Sequence, residues 1–131
     1  MDQVPFVTIE QYDVASIEAP PLLIAAGPPI DIKVTHYGIG FNGQTLGCGN
    51  GYYTSENETI VAVGPERHSE WPCGTPLQVC GQAGCISASR QDGCPGCSAN
   101  VLDLSEAGIG RVCGDNASVC DAHVVEMEYA P

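Results

Sequence analysis

Eight cysteines in a chain of 131 residues constrain the fold more than any other feature of the sequence. An even number of cysteines in a small chain is typical of secreted domains, where disulfides compensate for a thin hydrophobic core. The aromatic content, 5 Tyr, 2 Phe and 1 Trp, agrees with a core of modest size. We therefore expect an extracellular, monomeric protein whose fold is stabilised by four disulfides.

The spacing of the cysteines predicts two of these four bridges. Cys80 and Cys85 flank a predicted hairpin turn, and Cys113 and Cys120 flank a short loop. Each pair is therefore expected near the Cα separation of about 5.5 Å that a disulfide requires. The remaining cysteines are Cys48, Cys73, Cys94 and Cys97.

The segment Cys94-Pro95-Gly96-Cys97 admits several interpretations. We expect its two sulfurs to point at different strands and to bond Cys48 and Cys73, in an order that the sequence leaves open. A Cys-x-x-Cys segment is also found in redox centres. It also forms one half of some zinc sites, with Cys80 and Cys85 as the other half here. The extracellular context favours disulfides, so we expect no metal and no cofactor.

The charge balance excludes several classes of partner. The chain has 16 acidic and 4 basic residues, a formal net charge of −12. The basic residues are scattered, whereas nucleic acids and anionic membrane surfaces require clustered Lys and Arg. No apolar segment approaches the roughly 20 residues of a membrane span. The four basic positions are Lys33, Arg67, Arg90 and Arg111.

Two short signals agree with an extracellular location. The sequons at Asn57 and Asn116 match the acceptor pattern for N-glycosylation. The N-terminus lacks the basic and apolar regions of a signal peptide, so we interpret Met1 as a start that replaces a removed signal.

Proline content divides the chain at residue 31. Residues 1–31 contain five prolines and no cysteine, which predicts an extended N-terminal arm. Residues 32–131 form the predicted domain, which is rich in short apolar segments separated by Gly-rich turns. One short helix is expected after Ser105, a favourable N-cap, and Gly114 is expected to end it. Strands are predicted at residues 32–37, 59–63, 76–80, 85–90 and 122–129.

Four segments carry a family resemblance. They are Thr35-His36-Tyr37-Gly38, the stretch at 71–79 that begins Trp71-Pro72-Cys73-Gly74, the stretch Asp92-Gly93-Cys94-Pro95-Gly96-Cys97, and Leu102-Asp103-Leu104-Ser105. In order and spacing they resemble the double-psi β-barrel of the expansin and rare-lipoprotein-A-like superfamily, especially its loosenin-like and barwin-like single-domain secreted members. The resemblance implies a mainly β fold, a small six-stranded barrel with one short helix and an open groove.

The resemblance also implies carbohydrate chemistry in that groove. Asp103 matches the general acid of the related family-45 endoglucanases, and Asp92 matches a second groove residue. Gly38 stands where those enzymes place their catalytic base, as it does in expansins. Hydrolysis by inversion needs two carboxyl groups, so the base is expected to be missing unless Glu66, Glu70 or Asp92 replaces it.

Three aromatic residues are candidates for contact with a sugar chain. Tyr37 matches the tyrosine on the groove floor of expansins, and Trp71 or Tyr52 is expected to stack on a sugar ring. The family histidine next to Asp103 is absent, and His36, His68 and His123 are scattered. We therefore interpret the histidines as surface or packing residues.

These observations lead to several functional hypotheses. The first is a secreted expansin-like protein that binds cellulose, chitin or peptidoglycan without hydrolysis; an acidic groove favours neutral or cationic polymers. The second is an inhibitor of papain-like or subtilisin-like proteases that presents rigid loops at residues 64–71 and 81–84. The third is a weak lytic transglycosylase or endoglucanase that uses Asp103. The fourth is an effector or defence protein recognised by a host.

Overall fold

The computed structural model describes residues 22–131. The first 21 residues of the predicted N-terminal arm lie outside the described residues, so the division of the chain at residue 31 stays a prediction. The strands and the α-helix, in chain order, are β1 (Leu23–Ala25), β2 (Ile30–His36), β3 (Ile60–Val63), β4 (Pro76–Gly81), β5 (Gly84–Gly93), β6 (Val101–Leu104), α1 (Glu106–Cys113) and β7 (Cys120–Tyr129). Two single-turn 3-10 helices lie at Ile39–Phe41 and Pro65–Arg67.

Six of the seven strands close into a barrel. The strand order is β1-β7-β2-β6-β3-β5-β4, and an additional pairing of β7 with β4 closes the ring. The pairs β2–β6 and β3–β5 are parallel, and the other pairs are antiparallel. The short β1 adds a seventh strand along the far part of β7. This arrangement confirms the expected mainly β fold with a six-stranded barrel and one helix.

The β4–β5 hairpin and helix α1 form where the sequence predicts them. The hairpin turn is tighter than expected, because Gly81 pairs with Gly84 and leaves a two-residue loop. In α1, the Ser105 hydroxyl accepts a hydrogen bond of 3.0 Å from Gly108 N, which caps the helix. Gly114 ends it with a φ of 108°. No helix within residues 22–131 is long and apolar enough to cross a membrane.

The barrel interior is the main hydrophobic core. Strand β3 is buried along its whole length, which agrees with its continuous apolar sequence. A second, smaller cluster lies under the loop between β2 and β3, where Leu46, Tyr53 and Ile60 pack with Tyr37. The largest fully buried side chains of the main core are Trp71, Leu77, Leu102, Leu104 and Ile109.

All eight cysteines form disulfides, and two of the four bridges are those predicted from spacing. Cys80 bonds Cys85 and Cys113 bonds Cys120, with Cα separations of 4.0 and 5.8 Å. Because Cys80 and Cys85 are bonded to each other, they are not available for the zinc site that the sequence analysis considered.

The expected cross-pairing of the other four cysteines is wrong. Cys94 bonds Cys97 within its own turn, with a Cα separation of 5.3 Å, and Cys48 bonds Cys73. The Pro-Gly pair folds the segment into a turn in which Cys97 N donates to Cys94 O at 3.0 Å. The turn therefore brings the two sulfurs together instead of directing them at separate strands.

Candidate functional site

Four side chains lie in one row across neighbouring strands of the barrel. Thr35 of β2 pairs with Asp103 of β6, which pairs with Ala62 of β3, which pairs with Asp92 of β5. Directly paired positions project their side chains to the same face of a sheet. The two carboxylates therefore flank the small Ala62 side chain, with their Cα atoms two strand spacings, ~10 Å, apart.

Three residues of this row, Ala62, Asp92 and Asp103, line a groove. The groove has a volume of about 290 Å³, and Asp92, Asp103 and Ala62 line it together with Tyr37 and Phe41. The groove thus brings together three of the residues that the sequence predicted for the site, Tyr37, Asp92 and Asp103.

Asp92 is held by three hydrogen bonds. Its Oδ1 accepts from Gly47 N at 2.7 Å and from Gly93 N at 2.9 Å, and its Oδ2 accepts from Tyr37 Oη at 3.1 Å. Position 47 must be a glycine for this contact, because a Cβ there would lie 2.9 Å from Asp92 Oδ1. The bonds to both oxygens fix the orientation of this carboxylate.

Asp103 is held more loosely. Its Oδ1 accepts a hydrogen bond of 2.8 Å from Thr35 Oγ1, and its Oδ2 accepts none from residues 22–131. Burial raises the pKa of the Asp103 carboxyl, and the nearby charge of Asp92 adds to this effect. The hydrogen bond from Thr35 and the proximity of His36 oppose it. Asp103 therefore presents one free oxygen in a partly desolvated position.

Three aromatic rings form one side of the groove. The Tyr37 ring lies 4.1 Å from that of Tyr53 and 5.7 Å from that of Phe41, measured between centroids. Tyr53 Oη donates a hydrogen bond to the backbone carbonyl of Tyr37. Burial, with Asp92 nearby, raises the pKa of Tyr37, so its phenol stays protonated and remains a donor to Asp92.

The loop between β2 and β3 supplies groove residues that the sequence analysis missed. Phe41, Gln44 and Tyr53 line the groove, and Thr35 supports Asp103. The Cys48–Cys73 bridge anchors this loop, and Cys48 N donates to Gln91 O at 3.2 Å beside Asp92. In the sequence, one feature pointed to a role of this loop in the groove: the Gly-rich stretch directly follows Tyr37.

Trp71 is not a groove residue. Its side chain is fully buried in the barrel core, and the Arg67 guanidinium lies 4.8 Å from the centroid of its ring. The expectation that Trp71 stacks on a sugar ring is therefore corrected, since no face of the ring is accessible. Tyr52 is 66% exposed and bridges to Thr45, a groove residue, so its contact with a sugar stays a prediction.

The two other candidate carboxylates are engaged elsewhere. Glu66 Oε1 accepts from Ala99 N at 3.0 Å, and Glu70 pairs with Arg67 at 2.6 Å. Neither side chain lines the groove. Gly38 has an extended backbone, φ −92° and ψ −170°, and a Cβ there would meet nothing within 4 Å. The absence of a carboxylate at position 38 therefore has no steric cause.

The histidines lie apart from one another. His68 contacts Val63 O at 3.1 Å, and His123 pairs with Asp31 at 3.0 Å on the surface. His36 borders a separate cavity beside α1. No group of three or more potential metal ligands occurs within residues 22–131. Asn57 and Asn116 of the two sequons are both exposed.

The loops singled out for protease binding are braced by hydrogen bonds. In the first, residues 64–71, Arg67 Nε donates to Ala99 O at 2.6 Å. In the second, residues 81–84, Ala83 N donates to Val112 O at 3.0 Å and Gln82 Nε2 donates to Cys113 O at 3.3 Å.

Several solved structures share this fold. The apo-expansin of Clavibacter michiganensis matches with a TM-score of 0.65 and 28% sequence identity, over 77% of this chain and 51% of that chain. A mutant of the same expansin in complex with cellohexaose matches with a TM-score of 0.64, at the same identity and coverage. No protein-family model matches the sequence, and no curated protein matches it.

A third structure is an inhibitor. The Streptomyces papain inhibitor matches with a TM-score of 0.61 and 22% identity, over 77% of this chain and 94% of that chain.

This chain spans about half the length of the two expansin structures. It has the double-psi β-barrel fold of the expansin and rare-lipoprotein-A-like superfamily, which confirms the resemblance in its motifs.

Proposed function

We propose that this protein is an extracellular, expansin-like protein that binds a neutral or cationic cell-wall polysaccharide in its open groove without hydrolysing it. The proposal depends on one observation: two carboxylates lie on either side of Ala62, and Asp92 accepts three hydrogen bonds whereas Asp103 accepts one and keeps an oxygen without a partner. The four disulfides support an extracellular location. The expansin structure in complex with cellohexaose supports a glycan ligand.

The geometry argues against hydrolysis. An inverting glycosidase needs an acid and a base about 6.5–9.5 Å apart, and the base must activate a water molecule. Asp92 is less suited to that role, because its bonds to Tyr37, Gly47 and Gly93 use three of the roughly four acceptor positions of a carboxylate. Among the described residues that line the groove, Asp103 is the one carboxylate with an oxygen that accepts no hydrogen bond.

A sedimentation assay on insoluble polymers tests the proposal. The full chain is mixed with cellulose, chitin or peptidoglycan, and the bound fraction is measured after centrifugation. We expect binding to at least one polymer, and weaker binding by Asp103→Asn. Glu128→Gln removes the same charge at an exposed site on β7 and serves as the matched control. Absence of binding to every polymer refutes the proposal.

A protease inhibitor is the second candidate. The fold similarity extends over 94% of the Streptomyces papain inhibitor, a chain of similar extent. In addition, Ile39 and Tyr52 are each 66% exposed on the loop that the Cys48–Cys73 bridge anchors, and an anchored apolar loop suits a protease cleft. Titration of papain and of subtilisin tests this candidate, and full residual protease activity at molar excess excludes it.

A weak lytic transglycosylase or endoglucanase is the third candidate. The raised pKa of Asp103 favours it, because a general acid must hold its proton near the working pH. Release of reducing ends that disappears in Asp103→Asn supports this candidate, and activity that survives the substitution removes it.

A further inference from the structure

We propose that the groove prefers a polysaccharide built from amino sugars with free amino groups, and that Asp103 binds the ammonium group of one sugar. This inference rests on the proposed polysaccharide-binding function and names the substrate class of that same groove. Its basis is the charge of the groove, the free oxygen of Asp103 and the aromatic wall beside it.

The groove is acidic and contains no cation. Among the described residues that line it, Asp92 and Asp103 are carboxylates, and no lysine, arginine or histidine is present. Two carboxylates on one face, without a cation between them, create a negative potential that attracts cations and repels anions.

The basic residues of the described chain are committed elsewhere. Lys33, Arg67 and Arg111 form ion pairs with Asp121, Glu70 and Glu58 at 2.9, 2.6 and 2.8 Å. Arg90 is buried, where its Nε donates to Asp92 O at 3.0 Å and its Nη1 contacts Cys73 Sγ at 3.2 Å. None of these side chains pairs with the Asp103 carboxylate. His36 lies near enough to favour its ionised form but makes no hydrogen bond to it, so a direct ionic partner has to come from solvent or from a ligand.

Asp103 has the geometry to accept a donor from a ligand. Its Oδ1 is oriented by Thr35, while its Oδ2 has no partner within residues 22–131. An ammonium group placed there forms a charge-assisted hydrogen bond, which is roughly twice as strong as one between neutral groups. Asp92 offers less to a ligand, because three donors already use three of its roughly four acceptor positions.

The aromatic wall favours the same ligand. Phe41 is 46% exposed and packs edge-on against Tyr37, so it offers a ring surface against which a sugar can lie. Aromatic faces also attract cations, and Phe41 and Tyr37 lie next to the carboxylate row. An N-acetylated sugar keeps the ring and the linkage but carries a larger, uncharged acetamido group in place of the ammonium, so it offers Asp103 no cation.

Calorimetric titration of the full chain tests this inference with three hexasaccharides, of glucosamine, of N-acetylglucosamine and of β-1,4-linked glucose. The titrations use about pH 6, which lies above the ordinary aspartate pKa of about 4, a value that burial raises at Asp103, and below the pKa of a simple primary amine. We expect the glucosamine hexamer to bind roughly tenfold more tightly than the other two, a difference of about 1.4 kcal/mol. Asp103→Asn should abolish the difference, and Glu128→Gln should preserve it.

The comparison of the three hexasaccharides uses the wild-type protein alone. Its result therefore does not depend on whether Asp103→Asn folds. Equal affinity for all three hexamers overturns the amine inference and leaves the proposed polysaccharide binding intact. An equal loss of amine preference in Glu128→Gln also overturns it, because the attraction is then one of net charge. If none of the hexamers and none of the insoluble polymers binds, the proposed function fails and the inference fails with it.

Discussion

The phenol of Tyr37 donates a hydrogen bond of 3.1 Å to Asp92 Oδ2 across the floor of the groove. This contact joins the loop that follows β2 to the end of β5, which are 55 residues apart in the chain. Together with the two backbone donors to Asp92 Oδ1, it gives Asp92 three hydrogen bonds, whereas Asp103 accepts one, from Thr35. The difference between these two carboxylates is the basis of the functional proposals.

Tyr37→Phe tests this contact. The variant keeps the ring that packs on Tyr53 and Phe41 but loses the hydroxyl donor to Asp92. We expect the free energy of unfolding to fall by about 1–2 kcal/mol and polysaccharide binding to weaken. Urea unfolding measures the first effect. Tyr52→Phe, at a position that is 66% exposed, is the matched control and should change stability by less than about 0.5 kcal/mol.

Gly47→Ala tests the support of Asp92 from the other side. A Cβ at position 47 would lie 2.9 Å from Asp92 Oδ1, so the carboxylate or the loop must move. We expect a loss of about 1–3 kcal/mol in unfolding free energy, with weaker binding. Gly40→Ala is the control, since a Cβ there meets nothing within 4 Å. Equal stability of the two variants contradicts the described packing of Gly47 on Asp92.

Asp103→Asn is expected to change the pH dependence of stability. Burial raises the pKa of Asp103 in the folded state, so the folded protein binds this proton more tightly than the unfolded chain does. The stability from this group is therefore greatest below the unfolded pKa of about 4, and it is lost as pH rises through the folded pKa.

The side chain at position 103 is neutral at every pH in Asp103→Asn, so this variant does not lose stability as the pH rises. It should therefore be more stable than wild type near pH 7, and the advantage should disappear near pH 3. Urea midpoints at about pH 3, 5 and 7 measure the difference, and Glu128→Gln controls for the removal of one negative charge. An asparagine variant that is less stable than wild type at pH 7 contradicts the desolvation of Asp103.

The disulfide pairing predicts unequal losses on removal of single bridges. The Cys48–Cys73 bridge spans 25 positions, and the Cys94–Cys97 bridge spans 3. Because stabilisation grows with the length of the closed loop, the double serine variant of the first pair should lose roughly 3–4 kcal/mol, and that of the second roughly 2 kcal/mol. Mass spectrometry of unreduced peptides checks the pairing itself, and a peptide that links Cys48 or Cys73 to Cys94 or Cys97 contradicts it.

The features that depend on local sequence were the ones that could be predicted. Runs of apolar residues predicted five of the seven strands, Ser105 predicted the start of α1, and short spacing predicted the Cys80–Cys85 and Cys113–Cys120 bridges. The short strands β1 and β6 were not predicted. Asp92, Asp103 and Tyr37 were found because they belong to recognisable motifs, and the folded barrel brings them to one groove.

The remaining features depend on contacts between distant segments. Trp71 lies next to a motif cysteine in an irregular segment, and the packing of the barrel around it determines its burial. The groove positions of Phe41 and Tyr53 depend on the Cys48–Cys73 bridge and on the contact of Gly47 with Asp92. Neither relationship follows from spacing, because many loop conformations are compatible with a Gly-rich sequence.

The most direct test of the central claim measures binding and cleavage in one sample. The full chain is incubated with insoluble cellulose, chitin and peptidoglycan; the bound fraction is taken from the pellet, and newly released reducing ends are counted in the supernatant. The structure predicts saturable binding to at least one polymer, weakened by Asp103→Asn, with no release above that of a protein-free control. Release of reducing ends that requires Asp103, or the absence of binding to all three polymers, would contradict it.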